Sequence, residues 1–172
     1  MTSASLKSDT ILRQIDAHNL TEKIVAIDEE QICFFIFQLG GYLFAFGGSQ
    51  TREILPYTTI TWIPGATALI PGVINVRGDV AAVLDVKQIL SINETSPKTA
   101  DNFVVMVRAG DGRTGILVDT IVDVVEVPVS ETTQLLPTLD ERFKRFALNQ
   151  FEYRRNMVTV LDASLLIEKA TS

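Results

Sequence analysis

Two stretches of the chain carry the same pattern of strands and turns, and this internal repeat constrains the fold more than any other feature. Residues 34–57, moved forward by 70 positions without a gap, lie on residues 104–127. Both stretches read as a strand, a glycine turn, a second strand and then an acidic residue among β-branched residues, with Glu53 over Asp123. Such self-similarity at a fixed spacing indicates a duplicated structural unit.

A second match extends the repeat toward the end of the chain. Residues 80–90 lie on residues 157–167 after a shift of 77 positions, and Val-Leu-Asp is identical in both. A longer connection around residues 130–146 absorbs the difference between the two shifts. One half of the chain is therefore predicted to be a structural counterpart of the other.

Short apolar segments broken by Gly, Asp or Asn turns predict an all-β fold. The predicted strands are 32–39, 42–47, 60–63, 72–77, 80–85, 103–109, 113–118, 121–127, 147–153 and 157–162. The predicted helices are few and short, at 8–18, 86–90, 139–146 and 163–168. About five short strands in each half are enough to curl into a small closed barrel, which leaves no exposed sheet edge.

The bulk properties exclude several classes of protein. The chain has 172 residues, 47% hydrophobic and 21% charged, as expected for one globular domain or two small halves that share a core. A net charge of −6 and a pI near 4.8 argue against nucleic acid or anionic lipid as the main partner, since both require a basic face. The sequence has no apolar run of the roughly 20 residues that cross a bilayer, and its start has no apolar signal segment, so we expect a cytoplasmic protein.

Catalytic and metal-binding patterns are missing from the sequence. The only histidine, His18, lies in the lead-in before the first strand, and no Cys or Ser has a recognisable base at motif spacing. Cys33 has no partner for a disulfide or a metal site and is predicted to be a small buried hydrophobe. The repeated Leu-Asp places Asp85 and Asp162 as N-caps of short helices rather than as catalytic acids. We therefore expect no enzyme activity, no metal and no cofactor.

The stretch GVINVRGDVAAVLDV (72–86) predicts a hairpin with Gly78-Asp79 as its two-residue turn. Because side chains alternate between faces, four residues of this hairpin are expected in the core. This register pairs Arg77 with Val80, Val76 with Ala81, Asn75 with Ala82 and Ile74 with Val83, with Ile74, Val76, Ala81 and Val83 facing inward.

Arg77 is thereby expected to point outward, with its stem over Ala82 and Val80. An outward, well-oriented arginine often pairs with a carboxylate, and Glu53 is the candidate partner. The alternative is that Arg77 is an ordinary solvated charge of the hairpin.

Several stretches, in order, make the chain resemble the CheW-type coupling proteins of bacterial chemotaxis. The core Gly-Val-Ile-Asn-hydrophobic-Arg-Gly is the most specific element, and the resemblance covers about residues 32–168. The stretches are FFIFQLGGYLFAF, REIL (52–55), IPGVINVRG (70–78) with VLDV after it, GILVDTIVDVVEV (115–127) and MVTVLDASLL (157–166).

The resemblance implies two five-stranded β-barrels related by pseudo-symmetry, with a few short helices. It implies an N-terminal lead-in at 1–31, a double-barrel domain at 32–168 and a tail at 169–172. It also implies a non-enzymatic adaptor that bridges the cytoplasmic tip of methyl-accepting chemoreceptors to the regulatory domain of a chemotaxis histidine kinase, a domain built on a similar double barrel.

Site residues follow from the resemblance one position at a time. Arg77 matches the family's arginine, Glu53 its acidic partner, and Gly72 and Asn75 match positions on the receptor-facing side. The receptor helix is expected in the groove between the barrels. The kinase is expected against the exposed edge of the first barrel, with Ile54 as a contact.

Three features depart from the family pattern or lie beyond it. Ala82 stands where the family often has Pro, and Asn149 where it often has Gly. The segment NQFEYRRN (149–156) is unusually charged and aromatic for the turn before the last strand. The periodic apolar residues of the lead-in either pack on a barrel or meet a partner.

A small barrel that binds a ligand or nucleic acid, as OB-folds do, is the alternative function. Such surfaces place aromatic residues among Lys and Arg. In this chain the aromatic residues cluster in two adjoining apolar strands, which favours a core, although Phe34 to Phe37 spans both faces and leaves part of the cluster as a candidate partner surface.

Overall fold

The computed structural model describes residues 29–56, 59–93 and 102–172. Within them the chain folds from Ile32 to Ser172 as one compact unit. The predicted helix at 8–18 lies outside the described residues. The strands of the described part are β1 (Gln31–Leu39), β2 (Tyr42–Gly47), β3 (Thr51–Pro56), β4 (Ile60–Trp62), β5 (Gly72–Val76), β6 (Asp79–Leu84), β7 (Phe103–Ala109), β8 (Gly112–Val118), β9 (Thr120–Pro128), β10 (Ala147–Tyr153) and β11 (Asn156–Leu161).

Helices are short, as predicted from the sequence. The described residues contain α1 (Glu141–Lys144), α2 (Ala163–Thr171) and a 3-10 turn at Val129–Glu131. The Asp162 carboxylate accepts hydrogen bonds from the backbone N–H groups of Ser164 and Leu165, which confirms its role as an N-cap. The helix predicted at 86–90 is wrong, because this segment forms only a hydrogen-bonded turn.

All ten predicted strands are present, with ends that agree within one residue, but β3 was missed. Its sequence, TREILP, begins with three polar or charged residues and ends in proline, so it lacks the alternation that marks a strand. β3 also contains an irregularity between Thr51 and Glu53, which disturbs the two-residue period.

The strands form two curled sheets, which confirms the predicted all-β, double-barrel fold class. One sheet, here called the terminal barrel, has the strand order β10-β11-β2-β1-β9. The other, called the middle barrel, has the order β3-β7-β8-β6-β5-β4. Apart from β4, strands equivalent under the repeat occupy equivalent places in the two sheets, so the pseudo-symmetry predicted from the sequence is present.

Each barrel nevertheless takes strands from both halves of the sequence. The hairpin β1-β2 of the first half joins β9, β10 and β11 of the second half, whereas β7-β8 of the second half joins β3 to β6 of the first. The expectation that each half closes a barrel by itself is therefore wrong. Because each half of the chain contributes a hairpin to the sheet of the other half, the two barrels are connected.

Three apolar clusters fill the molecule, one inside each barrel and one between them. Phe34, Ile36 and Phe151 lie inside the terminal barrel, and Ile74 and Val83 lie inside the middle barrel. The cluster between the barrels takes residues from both sheets, including Phe37, Leu39, Phe44, Phe46, Val105, Val107 and Ile116. Because β1 is buried on both faces, Phe34, Phe37, Phe44 and Phe46 are core residues rather than a partner surface.

Asp119, between β8 and β9, makes polar contacts with segments that are distant in the sequence. Its carboxylate accepts a hydrogen bond from the Gly40 N–H at 2.8 Å and pairs with the Lys87 ammonium at 2.7 Å. Its carbonyl oxygen accepts a hydrogen bond from the Asn102 side chain at 2.9 Å. These bonds fix the crossing point between the two barrels.

The β5-β6 hairpin differs from its predicted register by two residues. Val76 pairs with Asp79 and Ile74 with Ala81, so the turn residues are Arg77 and Gly78. Since a shift of two residues preserves the face of every side chain, the predicted core set of Ile74, Val76, Ala81 and Val83 is confirmed as buried. The position predicted for Arg77, on a strand opposite Val80, is wrong.

Gly72 is expected to be essential for the close approach of β4 and β5. A Cβ atom at Gly72 would lie 2.5 Å from the backbone oxygen of Thr61, which cannot move without disturbing the ladder. We therefore expect Gly72→Ala to lower the free energy of unfolding by about 1–3 kcal/mol, as other overpacked sites do.

Urea denaturation followed by circular dichroism measures this effect, with Gly47→Ala as the matched control. The added Cβ at Gly47 would have its nearest neighbour at 3.8 Å, an ordinary contact. Equal stability changes in the two variants would contradict the role assigned to Gly72.

No helix in the described part of the chain has the length and apolar character needed to span a bilayer.

Candidate docking site

The predicted site residues Glu53 and Arg77 line one polar cavity at the end of the middle barrel. The cavity has a volume of about 600 Å³. We call it the arginine cavity, because guanidinium groups dominate its wall. Its lining residues are Arg52, Glu53, Arg77, Arg108, Gly110, Asp111, Gly112 and Arg113.

A tight turn places Arg77 at this cavity. Arg77 and Gly78 have positive φ angles of 52° and 89°, as a two-residue hairpin turn with the twist of the flanking strands requires. The Asn75 side-chain oxygen accepts a hydrogen bond from the Gly78 N–H at 3.1 Å. Asn75 therefore holds the turn that displays Arg77.

The irregular pairing of β3 places Arg52 and Glu53 on the same wall. Thr51 lies opposite Val107 and Glu53 lies opposite Met106, so Arg52 is the extra residue of a bulge. A bulge turns side chains away from the directions of a regular strand. Arg52 is exposed and Glu53 is half-buried.

The β7-β8 hairpin supplies two further arginines. Arg108 and Arg113 lie directly opposite each other across the antiparallel ladder. Like charges in such a pair repel, and this repulsion costs stability unless an anion lies between them. The arrangement thus favours a negatively charged partner at the arginine cavity.

The predicted ion pair between Arg77 and Glu53 is not formed within the residues that the structure describes. Both side chains border the same cavity. Their charges remain available to a partner, which agrees better with a docking role than with a structural clasp.

The two other predicted site residues have different surroundings. Gly72 is buried at the start of β5, where it permits close packing against β4. Ile54 is half-buried on β3, which forms one edge of the middle barrel. An edge strand offers backbone N–H and C=O groups for pairing, so Ile54 lies where another sheet can dock.

The side chains of the arginine cavity are suited to binding an anion. Guanidinium groups stay protonated at all physiological pH values and present several N–H donors in a planar fork. This fork matches the two oxygens of a carboxylate or phosphate. The cavity therefore suits the recognition of an acidic surface.

Sequence analysis missed Arg142, which organises a second polar cluster. Its guanidinium donates to both oxygens of Asp140, to the Ser91 carbonyl at 2.7 Å and to the Tyr42 hydroxyl at 2.9 Å. It also lies over the Phe143 ring at 5.1 Å. These partners are as many as 100 residues apart in the sequence, so no local signal reveals them.

The Arg142 guanidinium lowers the pKa of Asp140 to about 2 by hydrogen bonding, helped by the backbone N–H of the same residue. Because the folded pKa lies below the unfolded value of about 3.9, the ionised carboxylate stabilises the fold above pH 4. This contribution is lost as the pH falls toward 2.

We therefore expect Asp140→Asn to lower the urea midpoint at pH 7 and to have a much smaller effect at pH 2.5. Asparagine keeps the helix cap, so the substitution removes mainly the charge. Glu141→Gln is the control, since Glu141 is exposed and pairs only with Lys144. A difference from the wild type that is equal at both pH values would contradict this account.

The fold and the site together define a class: an all-β protein of paired barrels from a duplicated unit, with a charged cavity on one barrel. A family model described as the CheW-like domain matches residues 34–171. The chain belongs to this family.

Individual relatives agree with this assignment. The chain is 27% identical to the probable chemotaxis protein CheW of Rhizobium etli, over 84% of this chain and 91% of that protein. It is 27% identical to the chemotaxis protein CheW of Bacillus subtilis, over 80% of this chain and 87% of that protein. The crystal structure of the scaffolding protein TtCheW from Thermoanaerobacter tengcongensis has the same fold, with a TM-score of 0.69 at 21% identity, covering 80% of this chain and 88% of that one.

Proposed function

We propose that this chain is a non-enzymatic cytoplasmic adaptor of chemotaxis-type signalling, which couples methyl-accepting receptors to a chemotaxis histidine kinase. The observation that carries the proposal is the match of residues 34–171 to the CheW-like domain. Relatives named as chemotaxis proteins and a solved relative named as a scaffolding protein support it.

The receptor-facing site is the arginine cavity at the end of the middle barrel, rather than the groove between the barrels that the resemblance implied. Arg77 and Asn75 are exposed at the β5-β6 hairpin, and Glu53 borders the same space. Gly72, the first residue of β5, allows β4 and β5 to approach closely. The tip of a receptor helix would present its polar residues to the unpaired charges of the cavity.

The kinase-facing site is the free edge of β3, with Ile54 as a contact. The regulatory domain of a chemotaxis kinase has a similar double barrel, so a sheet edge of the kinase would pair with this edge. Ile54 directly follows Glu53 on β3, so the kinase and the receptor would dock on neighbouring parts of the middle barrel.

Signal transmission needs no chemistry in the adaptor. Two docking surfaces on a rigid double barrel would place receptor and kinase at a defined distance, and a change at the receptor would shift the population of kinase conformations. The kinase carries out the phosphoryl transfer.

The alternative, an OB-like barrel that binds nucleic acid, has less support. Base-stacking surfaces need exposed aromatic residues. The phenylalanines of β1 and β2 at 34, 37, 44 and 46 are at most 2% exposed. The net charge of −6 also repels a nucleic acid.

A pull-down from lysate of the source organism tests the proposal. The tagged full-length chain is expected to retain a large histidine kinase and a methyl-accepting receptor, identified by mass spectrometry. Recovery of nucleic acid without either protein would contradict the adaptor function.

A further inference from the structure

The hairpin turn between β10 and β11 has an unusual composition for its backbone conformation. Tyr153 pairs with Asn156, which leaves Arg154 and Arg155 as the two turn residues. Both have positive φ angles, 46° and 66°. Turns of this kind favour Asn and Gly, since other side chains adopt positive φ at an energetic cost.

Strain of this kind, at two consecutive exposed residues, points to a function for the side chains. The turn would be more stable with Asn-Gly, the sequence that such hairpins prefer. Folding alone therefore does not account for the two arginines.

Tyr153 and Asp123 orient the first of these arginines. The Arg154 guanidinium lies 5.2 Å from the centre of the Tyr153 ring. The Tyr153 hydroxyl donates a hydrogen bond to Asp123 Oδ2 at 2.6 Å and thereby lowers the pKa of that carboxyl. Because β9 and β10 are the two edge strands of the terminal barrel, this bond also links its edges. The ring gives Arg154 a fixed support, so binding a ligand would cost it less conformational entropy.

Within the described residues, neither Arg154 nor Arg155 forms an ion pair, although Arg154 interacts with the Asp123 carboxylate at longer range. The nearby acidic residues are Glu152, on β10, and Asp123, whose Oδ2 already accepts the Tyr153 hydroxyl. Both arginines are exposed, and Met157 beside the turn is 39% exposed. The tip of this hairpin thus offers two guanidinium groups beside a small apolar surface.

The internal repeat relates this turn to the one at the arginine cavity. Arg154 and Arg155 lie 77 positions after Arg77 and Gly78, and Asp123 lies 70 positions after Glu53. These are the two shifts that superpose the copies. The terminal barrel therefore has its own arginine turn and acidic residue at the place equivalent to those of the middle barrel.

We propose that the β10-β11 turn is a second docking site, which binds an acidic segment of a protein partner through Arg154 and Arg155. Two adjacent guanidinium groups can each hold a carboxylate of such a segment. A long polyanion such as DNA or an anionic membrane is disfavoured, because the chain carries a net charge of −6. The proposal does not depend on which receptor or kinase the adaptor serves.

The decisive variant is Arg154→Asn with Arg155→Gly. This double substitution gives the turn its preferred residues, so the melting temperature should stay the same or rise. A fluorescent hexaglutamate peptide titrated into the ¹⁵N-labelled full-length wild type should shift the amide resonances of Asp123 and of residues 153–156. The double variant should lose these shifts and bind at this turn at least tenfold more weakly.

Three controls make the result specific. A hexaglutamine peptide of the same length should cause no shifts at the turn. Arg145→Asn removes an exposed arginine at the end of α1 and should leave the shifts at residues 153–156 unchanged. A short DNA duplex and vesicles containing phosphatidylserine should bind more weakly than the hexaglutamate peptide.

The proposal is overturned if the acidic peptide leaves residues 153–156 unperturbed, or if the double variant binds there as well as the wild type. Tighter binding of the DNA duplex or the vesicles at this turn would overturn the assignment of an acidic protein segment. A large loss of stability in the double variant would show that the arginines serve the fold instead.

Discussion

Val83→Asp should abolish the folding of the middle barrel. Val83 is fully buried in the cluster inside this barrel, and it lies on β6 opposite Gly72. A carboxylate at this place would have no partner, and an unpaired buried charge costs several kcal/mol even after relaxation. This cost is comparable with the total stability of a typical domain, about 5–15 kcal/mol.

Val80→Asp is the matched control for this prediction. Val80 lies on the same strand, but 69% of its surface is exposed, so a carboxylate there stays in water. Its effect on the free energy of unfolding should be within about 0.5 kcal/mol. Urea denaturation followed by circular dichroism compares the two. A cooperative transition in Val83→Asp with the midpoint of the wild type would disprove the assigned core.

Arg77→Asn should weaken receptor binding at least tenfold, equivalent to about 1.4 kcal/mol, while the fold remains stable. The variant removes a charge that borders the arginine cavity. Asparagine adopts positive φ more readily than arginine, and Asn-Gly is the preferred sequence of such a turn. The melting temperature should therefore stay the same or rise slightly.

Receptor binding can be measured by co-sedimentation with receptor-containing membranes, with Arg145→Asn as the control. Arg145 is exposed, lies over the Phe146 ring at 5.1 Å and does not line the arginine cavity, so its removal should leave receptor binding unchanged. If Arg77→Asn instead lost several kcal/mol of stability and bound receptors normally, Arg77 would have a structural role.

Much of the secondary structure could be predicted from the sequence, because the strand pattern of one copy supports the strands assigned in the other. β6 and β11 begin and end at residues that the shift of 77 positions superposes, 79–84 and 156–161. The core face of the β5-β6 hairpin was also correct, although the register was wrong by two residues. Side-chain alternation determines the face, whereas the turn conformation determines the register.

The pairing of strands between the copies could not be predicted. The repeat shows which strands are equivalent, but it contains no information on whether β7 pairs with β3 or with β9. The hydrogen-bond partners of Asp119 and Arg142 could not be predicted from the sequence either. Their partners are brought together only by the folded sheets, across separations of 79 and 100 residues.

The candidate site was predicted in part. Arg77 and Glu53 border one cavity, but the ion pair that the resemblance implied between them is not formed among the described residues. The other arginines of the cavity were missed, since Arg108 and Arg113 look like ordinary surface charges until the β7-β8 ladder places them opposite each other.

In the proposed function, one rigid double barrel holds receptor and kinase at the same time. Co-sedimentation of the purified kinase with receptor-containing membranes, at increasing concentrations of this chain, tests it most directly. The kinase found in the pellet should rise with the concentration of the chain and then saturate. A pellet that contains the same amount of kinase without the chain, or less kinase as the chain is added, would contradict the claim.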